Sequence, residues 1–223
     1  MIRSNGMLSQ YKEMYNSKGI KLVLRYLIDC YLFDLLNGVE THHMMKKSQM
    51  EVVSRNFTYA QPYMVSWTST IRKAFSSLRD KTSLEGFVLV DIGCGKGKVC
   101  LETRRLKILG DNSNDYFGFD FERNLISVAQ SNSLKMFGDR GKFIHADILT
   151  IDFCTLGKQL LIYMYNPFDE HILKLFLSKL VAEKIIIVYI NPLYREVFLE
   201  KQYDLMICHQ DWHANLCFDV YIK

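Results

Sequence analysis

The sequence predicts an α/β fold built on a mostly parallel sheet, and three observations predict it. From residue 87 to residue 201, short apolar runs rich in β-branched residues alternate with segments of helical periodicity. The first run passes into a helix through a glycine-rich turn, Gly93-Cys94-Gly95-Lys96-Gly97. Three successive runs each end at an aspartate: Asp91, Asp120 and Asp147.

Ahead of that alternation, residues 1–85 read as a helical extension, and residues 86–223 as the sheet domain. Residues 1–16 are polar and weakly patterned, with Tyr11 and Tyr15 at helical spacing. Ser17 to Leu36 reads as an amphipathic helix terminated by Gly38. Its stripe of Leu24, Leu27, Ile28, Tyr31 and Leu35 is expected to pack on the main domain as core or lid. His42 and His43 point apart on any regular element and have no acidic or cysteine partner in sequence. A solvated loop, rather than a metal pair, is expected there. Tyr59, Tyr63 and Trp67 form an aromatic patch before a helix over Thr68 to Leu78, with Ser66 as its N-cap.

The sheet domain starts with Phe87 to Val90, a run of the kind a fully buried parallel strand needs. Asp91 ends it, and the helical pattern runs from Lys98 to Leu109. Asn112 and Ser113 mark a loop. The second strand is Asp115 to Asp120, followed by a helix through Leu125, Val128, Ala129 and Leu134. Lys142 to Ala146 is the third strand and Gln159 to Tyr165 the fourth. A helix from about Asp169 to Ala182 leads to a fifth strand, Lys184 to Ile190, and a short helix to Lys201. Tyr203 to Cys208 and Asn215 to Ile222 alternate as a hairpin at the sheet edge.

Composition narrows the class. With 223 residues, 49% hydrophobic and 13% aromatic, the chain can bury a sizeable core, which excludes disorder. The six cysteines are scattered without a C-x-x-C pair, and no signal-peptide pattern precedes them, so a reduced cytoplasm is the expected location. The most apolar N-terminal run contains Lys21, Arg25, Asp29 and Asp34, which argues against a membrane span. Of the net charge of +4, residues 1–85 supply the whole surplus, with 12 Lys/Arg against 7 Asp/Glu. A solvated face and a basic rim that attracts an acidic substrate both fit that asymmetry.

The glycine turn sets the ligand chemistry. Glycines allow φ > 0 and a close backbone approach, and the helix N-terminus offers unpaired N–H groups. A dinucleotide turn wants G-x-G-x-x-G, but the third position here is Lys98. Asp91 at the mouth would also repel a pyrophosphate. It suits an ammonium beside a carboxylate, as in the methionine half of S-adenosyl-L-methionine. A carboxylate after the second strand can accept both ribose hydroxyls, and one after the third can accept an adenine amino group.

Asp91-Ile-Gly-Cys-Gly-Lys-Gly97 resembles motif I of class I SAM-dependent methyltransferases. Gly118-Phe-Asp120 with Leu125, Ala129 and Asn132 resembles that family's second-strand motif, and Ala146-Asp147-Ile148 its adenine-contacting motif. The resemblance covers about residues 87–223 and implies a Rossmann-like seven-stranded sheet with a reversed last strand and helices on both faces. It implies that Asp91, Gly93, Gly95 and Gly97 hold the methionine moiety, Asp120 the ribose and Asp147 the adenine, with Phe121 and Ile148 on the purine faces. Phe33-Asp34, Gly38-Val39, Thr41 and Tyr63 to Ser66 look like a group of small, mostly uncharacterised bacterial methyltransferases. In that group a Tyr-x-Pro-Ser/Thr segment lies near the SAM methionine; Val65 stands here in place of the proline. For Tyr63 and Ser66, packing and capping remain the other reading.

Asn166-Pro167-Phe168 follows strand four and is the candidate catalytic segment. Amino-methylating members of the family carry Asn/Asp-Pro-Pro-Tyr/Phe there, one proline more. An Asn oxygen and a proline carbonyl can accept both N–H bonds of a planar amine while an aromatic ring stacks on it. A simple Asn-Pro turn is the other reading, since Asn191-Pro192 repeats the dipeptide. In-line transfer from a sulfonium needs no metal and no covalent intermediate; positioning alone can supply about 7–11 kcal/mol. Cys208, His209, His213 and Cys217 fall on the expected hairpin rather than on metal knuckles, so no metal is expected. The expected activity is SAM-dependent methylation of a nitrogen, on a protein, nucleobase or small amine. A SAM-binding regulator without turnover and a nucleic-acid module are the alternatives.

Overall fold

The computed structural model describes the backbone of residues 3–43, 63–110 and 114–223, and side chains from residue 11 onward. Tyr59 and the loop expected at Asn112-Ser113 lie outside the described residues. The sheet has seven strands: β1 (Phe87–Ile92), β2 (Tyr116–Asp120), β3 (Phe143–His145), β4 (Gln159–Tyr165), β5 (Lys184–Ile190), β6 (Asp204–His209) and β7 (Phe218–Ile222). Their order is β3-β2-β1-β4-β5-β7-β6. All neighbouring pairs are parallel except those of β7, which runs antiparallel to both β5 and β6. The α/β, Rossmann-like expectation with a reversed last strand is met. The order turns back between β1 and β4, so the C-terminal ends of these strands border a crevice.

Alternation along the strands sends side chains into two cores. Leu89, Leu161, Ile186 and Val220 face one side, where they meet α4 (Thr68–Arg79), α5 (Lys98–Arg105) and α6 (Arg123–Phe137). Val90, Ile162, Ile187 and Tyr221 face the other, against α7 (Glu170–Lys179) and α8 (Arg195–Glu200). Both faces are apolar because both are covered. The side of α4, α5 and α6 also receives Asp91 and Tyr163, which pair in register across β1 and β4. Asp91 lies within β1, which runs one residue beyond it to Ile92.

The N-terminal section departs from the expectation. Residues 3–18 form α1 (Arg3–Lys18), and Gly19 at φ 69° breaks the chain before α2 (Ile20–Tyr26), a π turn (Leu27–Tyr31) and α3 (Leu32–Asn37). The expected stripe faces outward: Leu24, Ile28, Tyr31 and Leu35 are 44–66% exposed, and Leu27 is half-buried. The inner face is Leu22, Tyr26, Asp29, Cys30, Phe33 and Asp34. Leu22, Tyr26 and Cys30 pack with Val65, Trp67 and Leu216. The apolar period misleads because the inward face carries two aspartates with partners elsewhere in the chain.

Asp29 is one of them. It accepts the Ser69 N–H at 2.7 Å and the Ser69 hydroxyl at 2.9 Å, and pairs with Arg25 at 2.6 Å. Trp67, not Ser66, occupies the N-cap position of α4, without a side-chain cap of its own. A carboxylate nearly forty residues earlier therefore caps α4. Asp34 is the other. It accepts Thr41 N–H at 2.5 Å, Thr41 Oγ1 at 2.6 Å and His42 N–H at 2.8 Å, with His42 Nδ1 at 2.6 Å. His42 is thus buried against Asp34 rather than solvated in a loop. Among the described residues, no helix is long and apolar enough to cross a membrane.

Candidate functional site

The glycine turn hangs on β2. Gly93 N–H and Cys94 N–H both donate to the Phe119 carbonyl at 2.9 Å. All three glycines of the turn are demanded by geometry. Gly97, at φ 84°, is the N-cap of α5, and a Cβ there would lie 2.7 Å from the Phe143 ring. Gly93, at φ 70°, faces Pro167 so closely that a Cβ would stand 2.9 Å from the proline ring. Asn132 on α6 steadies the turn by donating to the Lys96 carbonyl at 3.1 Å while accepting the Glu40 N–H at 3.0 Å. Lys96 also pairs with Glu40 at 2.9 Å.

Around this turn lies a cavity of about 90 Å³. The turn and strand ends give its wall Asp91, Gly93, Asp120, Phe121, Asn166 and Pro167; the N-terminal section adds Tyr63 and Ser66. Eight of the residues singled out in the sequence thus meet at one surface. Gly95 sits under the Tyr63 ring, where a Cβ would come within 2.0 Å of ring carbon Cε2. Tyr63 is held by its hydroxyl, which donates to the Thr41 carbonyl at 2.8 Å. Asp147, Ile148 and Phe168 stand back from the cavity. Asp147 caps a short 3₁₀ turn by accepting Leu149 N–H at 3.0 Å. Ile148 and Phe168 are buried in the core beneath α7 and α8, with the Phe168 ring 5.8 Å from Phe176.

The electrostatics of the wall follow from burial. Asp120 accepts Gly95 N–H at 2.8 Å and Glu122 N–H at 2.9 Å. Burial nevertheless outweighs these donors and pushes its carboxyl up to about 6. Asp91 is driven well above the usual carboxylate range, first by burial and then by the nearby Asp120 charge, with only the Cys100 thiol at 3.9 Å opposing. Two buried acids on one cavity make a site that gains from a cation or from hydroxyl donors.

Asn166 and Asn191 both line the cavity, at the ends of β4 and β5, with φ of 39° and 50° ahead of a proline. Asparagine tolerates this left-handed conformation better than most residues. Asn166 Oδ1 accepts from the Tyr189 hydroxyl at 2.9 Å, which orients the carboxamide. A carboxamide oxygen keeps a second lone pair for another donor.

Residues not singled out in the sequence complete the wall: Met64, Lys98, Tyr163 and Tyr165 among them. The Tyr163 hydroxyl is buried and reaches the Ser66 side chain without a well-formed hydrogen bond. The Tyr165 hydroxyl donates to Asn215 Oδ1 at 2.5 Å. Both tyrosines stand two residues apart on β4, on the same face as Asp91, which the register of β1 with β4 reveals and single-strand patterning does not. A sulfonium nucleoside with an amino-acid end fits this set of groups: a weakly satisfied hydroxyl, two buried carboxyls and a glycine turn that side chains would block.

Residues 83–215 match the family described as a methyltransferase domain. No curated protein matches the chain by sequence. Similar solved structures include magnesium protoporphyrin IX methyltransferase from Synechocystis with bound SAH, at 12% identity and a TM-score of 0.50, covering 91% of this chain and 97% of that one. A putative RNA methyltransferase from Pyrococcus horikoshii superposes at 15% identity and a TM-score of 0.51, covering 79% of this chain and 92% of that one. These are likenesses of fold.

Proposed function

The chain belongs to the methyltransferase-domain family, and on that premise we propose that it takes S-adenosyl-L-methionine as its cofactor and methylates a nitrogen acceptor. The observation that carries the reading is the pair of buried carboxyls, Asp91 and Asp120, facing one cavity beside a glycine turn. The cofactor supplies a methyl group already activated on a sulfonium.

The geometry supports the following roles. Asp91 receives the ammonium of the methionine end, a counter-charge that offsets the burial and the Asp120 charge raising that carboxyl's pKa. Asp120 accepts ribose hydroxyls with the lone pairs that Gly95 and Glu122 leave free. Phe121, on the cavity wall, gives the purine an apolar face. Asn166, oriented by Tyr189, and the Pro167 carbonyl accept the N–H bonds of the acceptor and aim its lone pair at the methyl. Catalysis is then positioning, so no nucleophile–base pair is needed. The nitrogen assignment rests on Asn166-Pro167 at the cavity wall.

Calorimetry with SAH tests the cofactor, and incubation with methyl-labelled SAM and fractionated lysate tests transfer. The reading expects heat with SAH and label in one pool that survives mild alkali, as N-methyl groups do and carboxyl methyl esters do not. Binding without labelling of any pool would make the chain a SAM-binding regulator. Absence of heat on folded protein would end the reading. Alkali-labile label would end the nitrogen assignment.

A further inference from the structure

Among the described residues, no carboxylate pairs with the buried Lys98 ammonium. Lys98 keeps 3% of its exposure, lines the cavity, and donates from Nζ to the Asp29 carbonyl at 2.5 Å. The ammonium also lies 4.8 Å from the centre of the Phe33 ring. The acids nearby are already engaged: the Asp29 carboxylate with Arg25 and Ser69, Asp34 with Thr41 and His42, and Glu102 with Arg72 and Arg105. Burial pulls the Lys98 ammonium below its ordinary range, against the attraction of Cys30, Asp34, Asp29 and Glu102. One backbone oxygen and a ring face leave an interior ammonium under-neutralised.

The cavity wall is therefore divided in sign. Asp91 and Asp120 come from β1 and β2, whereas Lys98 stands at the start of α5 beneath the N-terminal helices. The Asp29 carbonyl sits inside the π turn and accepts from both Thr68 Oγ1, at 2.7 Å, and Lys98. Such turns are frequent at functional sites because they turn backbone groups away from the regular ladder. An α-amino acid whose ammonium faces Asp91 carries its carboxylate on the same carbon, two bonds from that nitrogen. The positive member of the wall is the place for it.

We propose that Lys98 is the counter-charge for the carboxylate of the bound amino-acid end, and that the site thereby distinguishes SAM and SAH from truncated thionucleosides. The proposal rests on the methyl-donor reading above and adds the residue that recognises the carboxylate. A structural staple between α5 and the π turn, with no role toward ligand, is the competing account.

Titration calorimetry with SAH and with 5′-methylthioadenosine, which lacks the amino-acid end, separates them. Wild-type protein should bind SAH more tightly, and Lys98→Met should weaken SAH by about 10- to 100-fold while changing methylthioadenosine by less than about threefold. Lys98→Arg, which keeps the charge, should retain most of the preference. A Lys98→Met protein that weakens both ligands equally, or neither, would overturn the assignment in favour of the staple. If Lys98→Met does not fold, wild type and Lys98→Arg decide alone: equal affinity of wild type for the two ligands, or loss of the preference in Lys98→Arg with methylthioadenosine binding intact, overturns it. Failure of wild type to bind either ligand is a different result, since it removes the methyl-donor reading itself.

Discussion

The Tyr189 hydroxyl donates to Asn166 Oδ1 at 2.9 Å across the ends of β5 and β4. That bond sets which edge of the carboxamide faces the cavity, and it leaves one lone pair of the oxygen for an acceptor N–H. Tyr189→Phe removes the orienting donor without opening a void. Turnover should fall about tenfold, the equivalent of roughly 1.4 kcal/mol, while SAH affinity stays within about twofold. Equal losses in turnover and SAH affinity would show that the pair supports the cofactor instead.

Tyr163 makes the opposite case. Its buried hydroxyl reaches Ser66 without a well-formed hydrogen bond, so the fold gains little from it. Tyr163→Phe should leave the melting temperature unchanged or raise it, yet weaken SAH binding by about 3- to 10-fold if the hydroxyl meets the ligand. Calorimetry and thermal denaturation on the same preparation check both halves. Unaltered affinity would remove Tyr163 from the binding surface.

Asp120 gives the site a pH dependence. Burial, set against N–H bonds from Glu122 and Gly95, puts its carboxyl at about 6, above the unfolded value near 3.9. Between these values the folded state holds more protons than the unfolded state, so this group's contribution to stability falls as pH rises from about 4 to about 6. Acceptance of ribose hydroxyls favours the carboxylate, so SAH affinity should decline as pH drops through about 6. A calorimetric series from pH 5 to 8, with ¹³C-carboxyl NMR of Asp120, measures both. A flat affinity profile with a carboxyl titrating near 4 would refute this.

Asp29 holds the N-terminal helices to the sheet domain through the first turn of α4. Asp29→Ala removes the cap on Ser69 and leaves Arg25 without its partner. The expected loss is about 2 kcal/mol, which for a chain of this size lowers the melting temperature by roughly 4–8 °C. Asp29→Asn, which keeps an acceptor for the Ser69 N–H, should recover at least half of it. A melting temperature unaffected by Asp29→Ala would mean that Leu22, Tyr26 and Cys30 dock the helices unaided.

Five parallel strands, the helices between them and the C-terminal hairpin were legible because each is coded within about ten residues. An apolar run either has the length and branching of a buried strand or does not, and Gly93, Gly95 and Gly97 announce a turn by themselves. Asp91 and Asp120 could be placed for the same reason, as each stands at or within one residue of the end of a recognisable strand. The N-terminal helices were not legible in the same way. Their apolar stripe reads as the inner face, but Asp29 and Asp34 find donors at Ser69, Thr41 and His42, and those bonds carry the helix surface inward. Phe168 likewise reads as part of the site, yet its ring packs with Phe176, because alternation on a strand covered on both sides does not say which way the following turn will point.

Local periodicity and backbone sterics settle the order of the elements, the glycine turn and the acids at or beside the strand ends, so these can be read along the chain. That Tyr163 and Lys98 join the cavity wall, and that Asp29 caps a helix far along the chain, emerges only once the elements are packed. Those outcomes depend on register and on polar partners distant in sequence, and burial makes a polar group's position depend on what is available to satisfy it.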